Sequence, residues 1–398
     1  MNKLKVISIS SVSASLFLNS GRGDIKKITQ ENWHGIVAKE MKNKYPSLEI
    51  ECWSPEKKYK NEEIFEDSEI KFRIFPSNFV VRPGMELCFP MIKALNKEIK
   101  EAERKNIKLI IHIHEYHSWQ MYLILLLLKK TKNTKVIVQH HGGRHPFGNL
   151  LKYKRLLLFL PVIMLMQFFE NLLFKKINVF YALGDKEIEY LKRKAPESKI
   201  RFQTMGIDEK YFKIINKNYA RKTLGLELNK KYLLYIGRIK TTKGIKELLD
   251  GMKGIDAELL LIGDGPDRNK FEHYSTKEDI KNIKFLGSIY DDKKLDYLSA
   301  CDCLILPSHT EGAPVVLMEA VAKNLPVIAT DVGGVKNMIE NGREGIVIKP
   351  KSKEDIKNSI NEILGWKKKN IQKYAEKYKW KQIVKETLRD YENDKKDP

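Results

Sequence analysis

The chain has few cysteines: Cys52, Cys88, Cys301 and Cys303 in 398 residues. None pairs at the short spacing of a thiolate zinc module, which excludes that class of small metal-stapled domain. Cys301 and Cys303 flank Asp302 in an apolar strand, so they read as small core residues in a reducing cytoplasm. A signal-peptide layout is also lacking. Met1 to Ser8 reads as a short apolar strand, and the expected location is cytoplasmic. A complete G-x-G-x-x-G is missing too: Leu261-Ile-Gly-Asp-Gly-Pro266 supplies Gly263 and Gly265, but position 268 is Arg. A dinucleotide site is therefore not supported. No short internal repeat is visible. Acidic residues are in deficit, 51 against 73 Lys and Arg, for a formal net charge of +22.

Apolar content of 42% with 31% charged residues is ordinary for a globular protein. The length exceeds one ordinary core and implies two domains. The excess positive charge reads in two ways: a lysine-rich genome, or attraction to a membrane surface, nucleic acid or phosphorylated substrates. Nucleic acid is the weakest of these, because no aromatic stacking platform accompanies the charge.

Along the chain, apolar strands are expected at Val6–Val12, Leu48–Trp53, Ile107–Ile113, Thr134–Gln139, Asn178–Ala182 and Ile200–Thr204. Helices between them, such as Gln30–Lys44, argue for a doubly wound parallel sheet. The pattern then restarts, with strands at Tyr232–Ile236, Glu258–Ile262, Ile283–Leu286, Cys303–Leu306, Pro326–Ala329 and Gly345–Ile348. The expected division is an N-terminal domain over 1–215, a second α/β domain over 216–375, and a helical segment over 376–398 that packs back on the first. Leu156–Met166 is apolar throughout and extends to Phe174, interrupted by Gln167, Glu170 and Asn171, with Lys152, Lys154, Arg155, Lys175 and Lys176 as flanks. The interruptions and Pro161 make a poor spanning helix. A helix lying in a membrane interface and a core helix both remain open.

The chemistry concentrates in the second series. Pro307 ends a buried strand, and Ser308 to Pro314 leads into a helix expected to start near Pro314. Gly312 and Ala313 leave room for close backbone approach. The helix N-terminus favours an anion such as phosphate. Glu311 lies on the loop and Glu319 inside the helix, with seven residues between them. Two carboxylates so placed can meet two ends of one ligand. Upstream, Gly237-Arg238 with Lys243-Gly244 follows a strand and forms a candidate diphosphate clamp, Arg forking onto oxyanions and Lys adding a point charge.

Tyr235-Ile-Gly-Arg-Ile with Lys243-Gly244, Leu261-Ile-Gly-Asp-Gly-Pro, Phe285-Leu-Gly-Ser-Ile, Pro307-Ser308 leading to Glu311 and Glu319, and Pro326 to Gly334 occur in this order. The series closely resembles the retaining GT-B glycosyltransferases that carry the E-x7-E motif, glycosyltransferase family 4. The resemblance is densest over about residues 230–350. It implies a GT-B α/β fold of two Rossmann-like domains, the first taking the acceptor and the second the nucleotide-sugar, with Trp380 and its helix returning to the first domain. It further implies that Arg238 and Lys243 hold the donor diphosphate beside Gly312, Ala313, Pro314 and Val315. Glu319 would bind ribose, Ile289 would touch the base, and Glu311 would sit beside the donor sugar at the anomeric carbon. No metal and no cofactor are expected, since the cations and the helix N-terminus neutralise the diphosphate and no D-x-D occurs.

Six of the nine histidines, His112, His114, His117, His140, His141 and His145, fall within 34 residues. His112-x-His114 on one strand face admits a zinc site as one reading and buried structural histidines as another. In the resembling family a His ends the corresponding strand. Val138-Gln139-His140-His141-Gly142 matches with His141, which would bond the donor sugar, and His140 is the second candidate. The family's glycine-rich loop after the first strand is only faintly matched by Gly21-Arg22-Gly23. The expected function is transfer of a sugar from a nucleotide-sugar to a glycan or lipid-linked acceptor with retention, in surface polysaccharide or lipid-linked glycan assembly. A cytoplasmic enzyme seated peripherally on the inner, anionic membrane face fits that expectation. Closure would bring His141 towards Glu311. The alternatives are a nucleotide-sugar epimerase and a non-catalytic subunit anchoring a partner enzyme at the membrane.

Overall fold

A computed structural model describes residues 3–11, 13, 24–80, 86–115, 118–141, 168–290, 292–366 and 370–392. Gly21 to Gly23, His117, Gly142 to His145 and the apolar run 156–166 lie outside the described residues. The chain divides into two compact units: 1–182 with 187–203 and 384–398, and 183–186 with 204–383.

In the first unit, β1 (Leu4–Ser10), β2 (Glu49–Glu56), β3 (Glu63–Asp67), β4 (Ile70–Pro76), β7 (Lys108–His114), β8 (Thr134–Gln139), β9 (Val179–Ala182) and β10 (Ile200–Phe202) form one sheet. Its order is β10-β9-β8-β7-β1-β2-β4-β3. All neighbours are parallel except β3 and β4, which form a hairpin. A separate two-stranded ribbon pairs β5 (Phe79–Val80) with β6 (Glu86–Leu87). The hairpin was not expected from the sequence. Its turn, Ser68-Glu69, has φ of 53° and 59°, the double left-handed geometry usually announced by Asn-Gly or Asp-Gly, and neither is present.

The helix expected over Gln30–Lys44 forms as two, Ile25–Glu31 and Trp33–Lys44, because Asn32 is extended at φ −76°, ψ 164°. Side-chain alternation along β7 gives its two faces opposite characters. Leu109, Ile111 and Ile113 enter the apolar core with Ile7, Ile9, Val136 and Val138. His112 and His114 share the other face. There the last helix, Trp380–Glu392, makes a polar contact layer: His112 Nδ1 to Tyr391 Oη at 2.7 Å, Tyr181 Oη to Asp390 at 2.9 Å, and Gln203 Nε2 to Thr387 Oγ1 at 3.0 Å.

In the second unit, β11 (Tyr232–Ile236), β12 (Glu258–Ile262), β13 (Ile283–Gly287), β14 (Cys303–Leu306), β15 (Val327–Thr330) and β16 (Gly345–Ile348) form a sheet of order β13-β12-β11-β14-β15-β16. Every neighbour is parallel. β12, β14 and β15 are buried along their whole length, as strands covered on both faces must be. All four cysteines are buried and free. Asp302, just ahead of β14, ties the lower edge together through Lys217 at 2.6 Å and Arg221 at 3.0 Å.

Order and sequence together locate where ligands belong. The chain runs outward from β11 through β12 to β13, then returns to the other side of β11 with β14. In open parallel sheets, ligands lie beyond the carboxyl ends of the strands at such a reversal. The loops at this reversal are 237–244 after β11 and 307–314 after β14.

Candidate functional site

These two loops are locked to each other by backbone geometry. Gly244 has φ +68°, and a Cβ there would lie 1.9 Å from the Pro307 carbonyl oxygen, so only glycine lets the loops meet. His309 N donates to Thr242 O at 2.9 Å. Gly333, at φ +58°, lies against the carbonyls of Glu311 and Gly312, and Gly334 N donates to Gly312 O at 2.7 Å. The Pro326–Gly334 segment thus supports the carboxylate loop from the far side.

On this frame Lys243 Nζ donates to Glu311 Oε1 at 2.7 Å, and Ser308 Oγ donates to the same oxygen at 2.6 Å. Both ion-pair partners are largely buried. Tyr235 Oη donates to Arg238 O at 3.0 Å, and burial together with the Glu311 charge pushes its hydroxyl up. Arg238 itself is exposed and forms no ion pair among the described residues. The helix Val315–Ala322 starts one residue later than expected, with Pro314 as its cap at φ −73°, ψ 105° and no side-chain capping bond. Its first N–H groups therefore carry no side-chain cap.

Glu319 lies in that helix and is 8% exposed. Lys294 Nζ donates to its Oε2 at 2.5 Å and lies 5.3 Å from the centre of the Tyr211 ring. Burial and the adjacent Glu319 push the Tyr211 hydroxyl up. The structure thus sets Lys243, on the β11 loop, against the β14 loop-helix unit that carries Glu311, Gly312, Ala313, Pro314, Val315 and Glu319. Ile289 is half-buried two residues past β13, on the same edge of the sheet. Lys294 and Tyr211 were not read from the sequence, and Ser308 and Tyr235 stood in its motifs without a role; lysine is too common in this chain to signal a partner.

In the first unit, His141 Nε2 bonds His114 Nδ1 at 2.8 Å. His140 faces carboxylates instead, Glu187 at 2.8 Å and Glu115 at 3.5 Å. Burial lowers His112 and His34 to about 3 and holds His114 and His141 well below the usual imidazole range. These rings are neutral at physiological pH. Among the described residues no group of three His, Cys, Asp or Glu is placed to hold a metal ion. Glu86, also unread from the sequence, is fully buried and accepts from Ser13 N at 3.1 Å. Burial raises its carboxyl above the usual range.

Among the described residues no helix is long and apolar enough to cross a membrane. The described end of the apolar stretch, 168–174, is helical. Its one carboxylate, Glu170, is turned inward to Tyr122 Oη at 2.7 Å, Tyr190 Oη at 2.5 Å and Lys194 Nζ at 3.1 Å. Phe168, Phe169 and Leu172 are exposed.

Residues 216–380 match the family model described as glycosyl transferases group 1. An uncharacterized glycosyltransferase of Methanocaldococcus jannaschii is 30% identical over 40% of this chain and 47% of its own length. A putative teichuronic acid biosynthesis glycosyltransferase of Bacillus subtilis is 35% identical over 36% of each. The chain thus spans under half the length of these two curated relatives. The crystal structure of the Anabaena protein HepE with UDP superposes at a TM-score of 0.66, with 15% identity, over 97% of this chain and 99% of that one. That likeness establishes the fold, a two-unit α/β architecture of GT-B type.

Proposed function

Residues 216–380 match the glycosyl transferases group 1 model, and from that likeness we propose that the chain is a glycosyltransferase. It moves a sugar from a nucleotide-sugar to a glycan or lipid-linked acceptor with retention. The observation that carries the reading is the Lys243–Glu311 pair at 2.7 Å at the β11/β14 reversal. A cation for a leaving diphosphate and a carboxylate for a developing positive charge occupy adjacent positions there.

The roles follow from charge. Arg238 and Lys243, with the N–H groups from Gly312 to Val315, neutralise the diphosphate as the glycosidic bond breaks. Glu311 stabilises an oxocarbenium-like sugar, Glu319 accepts from ribose hydroxyls, and Ile289 packs on the base. His141 bonds the sugar through a neutral imidazole. No metal is assigned a part, since protein cations supply the neutralisation. UDP is the first nucleotide to test, because a protein of the same fold holds it.

The acceptor side is assigned to an anionic membrane surface. Its support is the exposed set Leu126, Leu127, Phe168, Phe169 and Leu172. The two helices carrying them touch through Tyr122 and Glu170, and Lys176 Nζ donates to Leu125 O at 2.5 Å. Exposed Lys129 and Lys175 sit beside this apolar set. Each lysine near an anionic surface adds about 1 kcal/mol of attraction.

The test is a panel of nucleotide-sugars scored by thermal shift and by release of nucleoside diphosphate, with and without acceptor lipids. A donor that stabilises the protein and turns over with acceptor is the expected result. Conversion of the donor sugar without an acceptor would establish the epimerase instead, and no stabilisation by any donor would reject the reading. Flotation with anionic vesicles tests the membrane surface: the wild type should float and Phe168→Ser/Phe169→Ser/Leu172→Ser should not. Equal behaviour of both proteins would remove that assignment.

A further inference from the structure

The second unit holds a cavity of about 380 Å³ that is not formed by the loops of the β11/β14 reversal. Lys231, Asp302 and Pro326 line it, and they stand immediately ahead of β11, β14 and β15. The cavity therefore lies at the amino ends of these parallel strands, whereas the Lys243–Glu311 pair lies beyond the carboxyl ends of β11 and β14. Its size falls within the roughly 300–1,000 Å³ usual for small-molecule sites.

The lining has two characters. Ile214, Leu298, Leu325 and Ile363 give it an apolar side. The charged lining is Lys217, Lys231, Lys323 and Asp302. Asp302 is already engaged, by Lys217 at 2.6 Å, Arg221 at 3.0 Å, Lys231 at 4.0 Å and the Tyr232 N–H at 2.8 Å. Lys323 is buried, donates to the carbonyls of Lys210 and Lys213, and makes no ion pair among the described residues. The helices Asp292–Ala300, Val315–Ala322 and Lys353–Leu364 all end at this cavity. Each carbonyl end carries roughly half a negative charge. Those ends and one carboxylate fall short of the four cations Lys217, Arg221, Lys231 and Lys323, so an excess of positive charge remains. Burial lowers the Lys217 and Lys323 ammoniums below their usual range, against the opposing pull of Asp302 on the first and Asp296 on the second. Such cations are desolvated with too little negative charge around them.

We propose that this cavity binds a small organic anion, one carboxylate or phosphate on an apolar body, the head group meeting the lysines and the body the apolar side. A neutral apolar ligand leaves the charge excess uncompensated, and inorganic phosphate leaves the apolar side in water. A ligand with both parts uses the whole lining. The site is distinct from the donor position proposed above, because the two lie at opposite ends of the same strands. Lys323 also ties the 210–213 segment to a helix end, so its loss would confuse binding with folding. Lys231 is exposed and is the residue to change.

The experiment titrates the full chain by calorimetry with 3-phenylpropionate and with phenyl phosphate, each with and without excess UDP. Benzyl alcohol and inorganic phosphate serve as controls that carry one feature each. At least one of the two amphiphilic anions should bind at a single site about tenfold or more tighter than either control. Its binding should weaken as salt rises and should be indifferent to UDP. Lys231→Glu should weaken it about fivefold or more, and Ser299→Phe, which places a ring in the cavity, should abolish it. Equal binding of either control, displacement by UDP, full affinity in Lys231→Glu, or no binding of either anion would overturn the proposal. Should Ser299→Phe not fold, Lys231→Glu decides. Binding is read without turnover, so a failed transferase assignment would be seen separately, as inactivity of the wild type with every donor.

Discussion

Glu311 receives two donors on one oxygen, an ammonium and a hydroxyl. Glu311→Gln keeps a polar side chain of the same shape but removes the charge. We expect UDP affinity to stay within a few-fold while transfer falls by about 100-fold or more, measured by calorimetric titration beside steady-state rates; normal turnover would dismiss the role. Lys294 poses a separate question of stability. Removing one partner of a largely buried pair strands the other, at a cost approaching about 3 kcal/mol. Lys294→Met should lower the denaturant midpoint accordingly, and Glu319→Gln added to it should recover most of the loss. A double variant no better than the single one would show that Lys294 acts elsewhere. At this scale, Glu311 and Glu319 were legible because their spacing recurs in a known motif. Lys294 was not, because its partner lies on another helix and lysine is the background of this sequence.

The elements depend on a few places where backbone meets backbone. Gly244→Ala brings a Cβ into the Pro307 carbonyl, whereas Gly342, at φ +82°, has nothing within 4 Å of its Cβ position. Both substitutions strain a left-handed residue by roughly 1 kcal/mol. Only the first must also part the β11 and β14 loops. Gly244→Ala should therefore lose markedly more stability than Gly342→Ala in urea, and should weaken nucleotide binding as well; equal losses would mean the contact relaxes freely. The alternation of apolar strands and helices made both sheets readable. The β3–β4 hairpin escaped because Ser68-Glu69 takes a glycine-type turn without glycine. The four-residue visit of 183–186 to the second unit escaped too. It is fixed by Gly184 packing on Gly333, where a Cβ would meet backbone at 2.7 Å, and no periodicity marks four residues.

Across the whole molecule, acid should act first on the unit that buries imidazoles. His34 and His112 are held near 3 by burial, against about 6.5 in an unfolded chain. Between these values the unfolded state binds protons that the native state refuses, so stability is full above pH 6.5 and declines as pH falls towards 3. Calorimetry from pH 7.5 to 4 should show a melting temperature that drops progressively below 6.5, and His34→Gln should flatten that slope. An unchanged profile would mean that the rings are solvated. The cluster was visible in the sequence as a crowding of histidines. Its character was not, because burial depends on Tyr391 and the C-terminal helix arriving from nearly 280 positions away.

The resting state of the second unit also bears on how a transferase of this kind would tell an activated sugar from a free one. Lys243 belongs to Glu311 until something more anionic competes for it. A sugar lacking a diphosphate offers no rival claim, so it meets a carboxylate already satisfied. On the proposed function, a nucleotide-sugar would draw the ammonium towards its phosphates and would leave Glu311 with Ser308 as its remaining donor, beside the anomeric carbon. The reactive arrangement would then be assembled by the substrate it serves.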